Sequence, residues 1–359
     1  MKESGRRRWL KALPIDIEKL YQHVDEPLPH SAKRWWWCWG GLVGLLFAVQ
    51  VVTGLLLAFY YRAGPTASYE SVAFITEHVR FGLFIRSVHQ WGATFMIVFL
   101  LLHMLRVFFT GAFREYRWGA WMVGVGLFGV TLGFGFTGYA LVNDQVSYWA
   151  VTVTSNIVAA VPLIGTALRN LFLAGDSINV ATSSRMYALH VQVMPIALGV
   201  LGVAHLFFVR LMGMHQPGTP ADHEKEAQLT RRKGAYHFYP DHLLSELAVF
   251  LYLVVLICLL ALALPATLGA PANPEVTPEH IKPEWYFYPF FHLLKLVPGP
   301  IGVGIMGLLG LCLFFWPVLD HTIFQKFDRM FNRRIELSLV LGILFIGIFL
   351  IWAVTEANL

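Results

Sequence analysis

The chain has 359 residues, of which 57% are hydrophobic, 15% are aromatic and only 14% are charged, and its mean hydropathy is +0.58. This composition excludes an ordinary soluble domain and a disordered chain, and it is typical of a protein that crosses a lipid membrane several times. We interpret the net charge of +5 as part of the membrane topology and expect no nucleic-acid partner.

The first 33 residues contain charges and prolines but no early apolar core. A cleavable signal peptide needs such a core, so we expect none here. The first apolar span is therefore predicted to direct its own insertion, and residues 1–33 are predicted to form a cytoplasmic N-terminal segment.

Seven apolar stretches follow, each of about 20 residues or more and thus long enough to cross the hydrocarbon core as a helix. They cover residues 35–60, 82–109, 119–141, 186–210, 243–264, 301–319 and 335–354. The predicted fold class is an all-α membrane protein, with a four-helix bundle over residues 34–212 and three further transmembrane helices over residues 243–359. The polar stretch 213–242 is predicted to be a cytoplasmic linker.

The distribution of lysine and arginine sets the predicted orientation. With a cytoplasmic N-terminus, all but seven of the 27 basic residues lie on the inside. The seven on the outside are Arg62, Arg80, Arg86, Arg169, Arg185, Lys282 and Lys295. This bias fits seven spans in one orientation, and it makes the second and fourth spans parallel, both running from outside to inside.

Two histidines lie in each of these parallel spans, His89 with His103 and His190 with His205. Steps of 14 and 15 residues make about four helical turns, so both histidines of a helix share one face, about 21 Å apart. His89 is thus level with His190 on the outer side, and His103 with His205 on the inner side. A single histidine in a membrane helix can simply form a hydrogen bond with a carbonyl oxygen. Four histidines with matched spacing inside a membrane indicate a functional site, because ionisable groups are costly in hydrocarbon. Two imidazoles per iron predict two b-type haems for electron transfer.

Two glycine pairs in the first and third spans have a matching separation of 14, Gly40 with Gly54 and Gly124 with Gly138. A missing side chain lets a flat cofactor approach the backbone, although glycine is also common wherever membrane helices pack closely. The levels of these glycines agree with those of the histidines. The first four spans are therefore predicted to form a four-helix haem-binding bundle.

Five motifs resemble cytochrome b of the quinol:cytochrome c and quinol:plastocyanin oxidoreductases. They are Arg86-Ser87-Val88-His89, His103-Met104-Leu105-Arg106, Thr137-Gly138-Tyr139, Tyr148-Trp149-Ala150-Val151 and Pro283-Glu284-Trp285-Tyr286. The 15-residue histidine step and Pro289 are similar to the b6f branch. In that branch the four-helix and three-helix parts are usually separate proteins, so the resemblance implies a natural fusion, which we expect to lack the eighth helix of the mitochondrial type.

The resemblance also implies further cofactor contacts. Arg86 and Arg106 belong to the two haem motifs, and Cys38 lies in a segment similar to the one to which b6f-type proteins attach a third haem by a single thioether bond. Arg210 matches the family position near the propionates of that haem, and a guanidinium pairs well with carboxylates. The only other cysteines are at positions 258 and 312, which excludes a CxxCH site and a cysteine-ligated iron–sulfur cluster in this chain.

The resemblance implies that two outside loops, residues 142–185 and 265–300, form a quinol site. The resemblance implies that Glu284 accepts a proton from quinol, with Tyr286 and Tyr148 beside the same pocket. The residues alone leave alternatives open, because Glu284 could cap a short helix or pair with Lys282, and Tyr148 could belong to an interfacial aromatic belt.

Two departures from the family pattern concern these loops. Relatives have Pro-Trp-Asp-Gln after the third span, whereas this chain has Val142-Asn143-Asp144-Gln145, which puts the shape of that corner in question. Lys295 stands where relatives have arginine.

The resemblance therefore implies a Q-cycle cytochrome b in a bacterial cytoplasmic membrane. Quinol oxidised outside would give one electron to a Rieske iron–sulfur protein, which passes it to a c-type cytochrome, and the other would cross through the two haems to quinone inside. A homodimer is expected. Two other functions stay open on the residues alone: a haem-bearing anchor for a soluble oxidoreductase, and a transporter with proton-relaying histidines.

Overall fold

A computed structural model describes the chain in six stretches, residues 27–28, 30–175, 177–215, 236–279, 281–330 and 336–358. The predictions for residues 1–26 and 216–235, which make up most of the N-terminal segment and of the linker, fall outside the described residues.

The described chain is almost entirely helical. Its α-helices are α1 (Trp39–Ala58), α2 (Pro65–Glu77), α3 (Gly82–Phe109), α4 (Trp118–Ala140), α5 (Gln145–Ala159), α6 (Gly165–Leu173), α7 (Val180–Ala188), α8 (Met194–Met212), α9 (Leu243–Ala263), α10 (Tyr288–Leu296), α11 (Gly299–Phe314), α12 (Trp316–Leu319), α13 (Gln325–Met330) and α14 (Leu337–Asn358). Short 3₁₀ segments are His30–Lys33, Trp35–Cys38, Glu115–Arg117 and Trp285–Phe287, and π-helical turns are Leu189–Val193, Phe238–His242 and Asp320–Phe324. Two short strands, β1 (Pro27–Leu28) and β2 (Tyr236–His237), pair antiparallel.

Six helical stretches of the described chain are long and apolar enough to cross a membrane. They are Trp35–Ala58, Gly82–Phe109, Trp118–Ala140, Val180–Met212, Phe238–Ala263 and Leu337–Asn358. A seventh span is formed if the bent pair Gly299–Phe314 and Trp316–Asp328 is counted as one. The predicted all-α membrane fold is confirmed.

The sixth predicted span, 301–319, needs a correction, because its helix is not continuous. α11 ends at Phe314, and the chain turns by 70° before continuing from Trp316. Pro317 has no N–H to donate to the preceding turn and so favours a break here. The 16 residues of α11 reach only about 24 Å, less than the roughly 30 Å of a typical hydrocarbon core.

The fourth span is longer than predicted, because α7 runs through the turn Leu189–Val193 into α8 and the whole stretch begins at Val180. Pro195 occupies the first turn of α8 and cannot donate a backbone hydrogen bond to the residues before it, which accounts for the wider π-helical turn. This turn sets the position of His190.

The membrane helices pack in pairs, α1 along α3 and α4 along α8, while α9 packs against α3 and also contacts α1. Their shared core contains Leu46 of α1, Val88 and Met96 of α3, Leu198 of α8 and Ile257 of α9. Apolar residues also cover the outward faces of the helices, as expected for a protein surrounded by lipid.

The long loop predicted between the third and fourth spans folds into α5, α6 and α7. Asp144 caps α5 by accepting a hydrogen bond from the backbone N–H of Ser147 at 2.9 Å. Asn179 and Thr182 form a capping box at the start of α7. Asn143, at the corner where relatives differ, adopts a left-handed conformation with φ of 51° and donates to the carbonyl of Pro65. Asparagine tolerates this conformation better than most residues.

The loop that follows α9 is tied down by polar contacts over the same end of the bundle. Arg86 donates to the carbonyls of Ala266 at 3.0 Å and Thr267 at 2.6 Å. The backbone of Gln145 donates to Ala270 at 2.9 Å, and the N–H of Gly269 donates to the Asp144 carboxylate at 3.2 Å. These bonds attach the loop to both α3 and α5 before it reaches Glu284.

Candidate functional site

The first histidine pair comes from α3 and from the π-helical turn before α8. The ring centroids of His89 and His190 are 6.4 Å apart, and the ring planes are inclined by 68°. Each Nδ1 atom contacts a threonine hydroxyl, with Thr53 2.8 Å from His89 and Thr137 3.0 Å from His190. The two threonines directly precede Gly54 and Gly138 in the sequence. Their position beside the predicted glycines was therefore the signal for their role.

These threonines determine which ring nitrogen holds the proton. Thr53 donates its own hydroxyl proton to the carbonyl of Val49 at 2.7 Å, and Thr137 donates to Gly133 at 2.8 Å. Each hydroxyl oxygen can then only accept from the Nδ1–H of its histidine. The lone pair on Nε2 of each histidine is therefore available to a metal, and second-shell hydrogen bonds of this kind are usual for metal-binding imidazoles.

The second pair, His103 of α3 and His205 of α8, has the same separation. Its ring centroids are also 6.4 Å apart, with an interplanar angle of 77°. Nη2 of Arg106 lies 3.4 Å from Nδ1 of His103, and the guanidinium stacks over Trp37 at 4.7 Å. The structure thus brings His89 to His190 and His103 to His205, level by level and not crosswise.

The geometry of both pairs fits an iron held between two imidazoles. Imidazole nitrogens bind metals at about 2 Å, which places the centroids of two opposed rings about 6 Å apart. In the described part of the chain, no three or more His, Cys, Asp or Glu side chains converge to hold a metal ion. A pair of imidazoles suits a haem, because the macrocycle supplies the remaining four nitrogens.

The four predicted glycines each lie against one of the four histidine rings. A methyl group placed on Gly138 would lie 2.7 Å from Cε1 of His190, and one on Gly40 would lie 2.9 Å from Cε1 of His103. The corresponding distances are 3.3 Å from Gly54 to His89 and 3.4 Å from Gly124 to His205. The closest neighbour of each glycine is thus the imidazole ring, and the absent side chain makes room for that ring.

Glu284 lies at the entrance to the 3₁₀ turn Trp285–Phe287. Its carboxylate makes no capping hydrogen bond to that turn, and it forms no salt bridge with Lys282 among the described residues. Partial burial raises the pKa of Glu284 above its usual value. These observations argue against the two structural alternatives and leave the carboxylate as a partly desolvated acid.

Tyr286 inserts its hydroxyl against α4. A methyl group on Gly135 would overlap that hydroxyl at 2.5 Å, so the tyrosine needs a glycine at this position. Burial raises the pKa of the Tyr286 phenol, and the nearby Glu284 and Tyr139 raise it further. The structure therefore brings Glu284, Tyr286 and Tyr139 together at the end of the bundle that holds His89 and His190.

Tyr148 and Arg86 have contacts other than those that their predicted roles require. The ring of Tyr148 packs edge-on against Trp149 at 5.8 Å, and in the described structure its side chain forms no hydrogen bond with Glu284. The guanidinium of Arg86 binds the loop carbonyls of Ala266 and Thr267. In this structure Arg86 holds the loop in place, and its predicted cofactor contact stays a prediction.

Cys38 is only 2% exposed and ends the 3₁₀ turn that leads into α1. Its neighbour is a residue that the sequence analysis missed: Glu246 of α9 is 7% exposed, and its carboxylate occupies the space next to Gly41. Arg210 is exposed on the last turn of α8. A glutamate in an apolar span was visible in the sequence, but its position beside Cys38 depends on the packing of α9 against α1.

Comparison with known families now decides the identity. Residues 23–213 match the family model described as "Cytochrome b/b6/petB", and residues 271–357 match the one described as "Cytochrome b(C-terminal)/b6/petD". The chain belongs to the cytochrome b family. It is therefore an integral membrane protein of electron transport, an oxidoreductase component that carries b-type haem.

The fold is also shared with a solved structure titled "Hyperthermophilic respiratory Complex III". The similarity covers 97% of this cytochrome b and 97% of that chain, with a TM-score of 0.77 and 23% sequence identity. At this identity the comparison supports the fold of the whole chain, including the joining of its N-terminal and C-terminal parts.

Gly138→Ala is expected to lower the b-haem content of this cytochrome b, because the added methyl group pushes against the ring of His190. Pyridine haemochrome analysis of the purified protein measures this content. Gly129→Ala on the same helix is the matched control, since a methyl group there meets nothing within 4 Å. Equal haem content in both variants would contradict the close packing of Gly138 on His190.

Proposed function

We propose that this cytochrome b is the quinol-oxidising subunit of a Complex III-type enzyme that works by a Q cycle. The observation that carries the proposal is the presence of two histidine pairs, each with ring centroids 6.4 Å apart, near opposite ends of one helix bundle. Four turns of helix separate the two levels, so electrons can cross most of the membrane.

In this proposal His89 and His190 hold one b-haem, and His103 and His205 hold the other. Two imidazoles per iron leave no open coordination position, which favours electron transfer over oxygen binding. When bound, the haems supply one-electron redox chemistry at two depths of the membrane. The threonines beside His89 and His190 orient the rings and keep Nε2 deprotonated.

At the end of the bundle that contains the first pair, Glu284 takes a proton from quinol. Its pKa is raised by burial, and this brings the carboxylate closer to the pH at which a general base works efficiently. Tyr286, fixed against Gly135, forms one wall of the pocket. Tyr148 is proposed to line the opposite side of the pocket. The loop after α9, which is hydrogen-bonded to Arg86 and Gln145, covers the pocket and excludes water.

At the other end, quinone is reduced near Cys38 and Arg210. The buried carboxylate of Glu246 lies beside Cys38 and can deliver a proton there. A third haem attached to Cys38 through one thioether bond belongs to this proposal. It is supported by the position of Cys38, two residues before the glycine that faces His103, and by Arg106, which stacks on the adjacent Trp37.

The partners proposed are those of a Complex III-type enzyme. A Rieske iron–sulfur protein takes the first quinol electron and passes it to a c-type cytochrome, and two copies of the complex form a dimer. The proposed location is a bacterial cytoplasmic membrane, and the distribution of basic residues supports a cytoplasmic N-terminus with the Glu284 loop outside.

His205→Ala tests the pairing of the haem ligands. The variant should lose one b-haem and retain the one held by His89 and His190, because the two levels are separate. Redox titration followed by optical spectroscopy distinguishes them, and His78→Ala, which changes an exposed histidine, should leave both in place. Loss of both haems in His205→Ala alone would show that the levels are not independent.

Cys38→Ala tests the third haem. Extraction of the denatured protein with acid and acetone removes haem that is not covalently bound, so one haem should stay on the wild-type polypeptide and none on the variant. Haem staining of the polypeptide after electrophoresis reports the result, and Cys258→Ala is the control. A wild-type chain without covalent haem would overturn the assignment.

Glu284→Gln tests the reaction. Glutamine keeps the size of the side chain but cannot accept the proton, so quinol oxidation should slow by roughly 10²–10⁴-fold, the usual effect of losing a positioned general base. The rate is measured as quinol-driven reduction of the b-haems. The control is Glu275→Gln, which changes an exposed glutamate of the same loop. This variant should oxidise quinol at the wild-type rate. A near-normal rate in Glu284→Gln with intact haem content would mean that another group takes the proton.

A further inference from the structure

A buried carboxylate near the end of the last membrane helix has no part in the function described above. Glu356 of α14 is completely buried, with 0% exposure. Its Oε1 accepts a hydrogen bond from Nζ of Lys295 at 2.5 Å, and its Oε2 lies 3.3 Å from Nδ1 of His292. Both partners belong to α10, the helix that follows the Glu284 loop.

A carboxylate in this position needs its partners. Burial of an unpaired charge is costly, and the loss of one member of a buried ion pair leaves the other member without compensation. Lys295 keeps 45% of its side chain exposed, so it can reach Glu356 from the membrane surface while its stem covers the apolar face below. The pair thus joins the end of α14 to the end of α10.

The position of α10 is directly coupled to that of Glu284. The carbonyl of Glu284 accepts a hydrogen bond from the N–H of Phe287 at 2.9 Å, and α10 begins at the next residue. The 3₁₀ turn Trp285–Phe287 also packs against α14. A rotation or axial shift of α10 on α14 would therefore move the Glu284 backbone as well.

Apolar contacts alone do not fix that register. Phe290 packs edge-on against Phe349 at 5.4 Å, and His292 lies 6.2 Å from Trp352. Ring pairs of this kind have preferred orientations but accept a range of separations. A charge-assisted hydrogen bond is shorter and fixes the distance more narrowly. The polar contacts of Glu356 with Lys295 and His292 supply this directional restraint between α10 and α14.

We propose that Glu356 is a positioning residue for quinol oxidation. Through Lys295 and His292 it fixes α10 on α14 and so holds the Glu284 carboxylate where it can take the quinol proton. This inference rests on the proposed function of Glu284.

The first test compares three variants of the assembled complex. Glu356→Gln should slow quinol-driven haem reduction by roughly 10–100-fold at saturating quinol, the effect of a small misplacement of a reacting group. Lys295→Arg keeps the charge and should oxidise quinol nearly as fast as the wild type. Glu336→Gln is the matched control: it removes the 2.6 Å ion pair with Arg114 at the opposite end of α14 and should not change the rate.

The second test separates positioning from general damage. In the double variant Glu284→Gln/Glu356→Gln the second change should slow the reaction by less than about twofold, because the group that Glu356 positions is already inactive. Haem content and haem reduction from the inner quinone side should equal those of the wild type. If Glu356→Gln does not assemble, Lys295→Gln breaks the same link from its exposed side.

Three results would overturn the inference. They are a near-normal rate in Glu356→Gln with haem intact, effects of Glu284→Gln and Glu356→Gln that multiply in the double variant, and equal slowing by Glu336→Gln. If Glu284→Gln itself oxidises quinol normally, the proposed role of Glu284 fails first. If only Glu284→Gln is slow, that role stands and the role of Glu356 is wrong.

Discussion

The close contact between histidine rings and glycine backbone is the constraint on which the rest of the bundle depends. Two opposed imidazoles require space on both sides of the bundle axis, and a methyl group on Gly138 or Gly40 would enter that space. Because α1 and α4 carry the glycines while α3, α8 and the π-helical turn before α8 carry the histidines, all four helices are fixed in rotation and in height. A single-residue shift of any of them would turn its histidine or glycine away by about 100°.

The loops above this bundle are ordered by an apolar cluster of Val151, Leu173 and Met186 and by polar contacts at the surface. Asp144 both caps α5 and accepts the N–H of Gly269, while Gln145 exchanges hydrogen bonds with the backbone of Asn273. The corner that departs from the family pattern is therefore an ordered part of the site. Asn143 replaces a bulky residue and contributes a left-handed turn that anchors the corner to α2.

Periodicity and the spacing of histidines predicted most of the membrane fold, because each is a property of one helix at a time. The bend after α11 was missed, since the apolar pattern continues through Phe315 and a hydropathy window cannot register a break. The contacts of Glu246 and Glu356 could not be predicted either. Glu246 is a single acid in a predicted apolar span and Glu356 follows the end of the last one, and only the packing of α9 on α1 and of α14 on α10 shows what they touch.

The polar surroundings of the two histidine pairs differ, and under the proposed function this difference would give the electron path a direction. Beside His89 a threonine oxygen accepts from Nδ1, which makes the imidazole more electron-rich and favours the oxidised state of a metal bound to it. Beside His103 the guanidinium of Arg106 lies 3.4 Å from Nδ1, and a fixed positive charge favours the reduced state. Arg86 does not cancel this difference, because its guanidinium is directed to the loop carbonyls. In the proposed function, haems held at the two levels would therefore differ in potential, and electrons would be drawn from the Glu284 end of the bundle toward the Cys38 end.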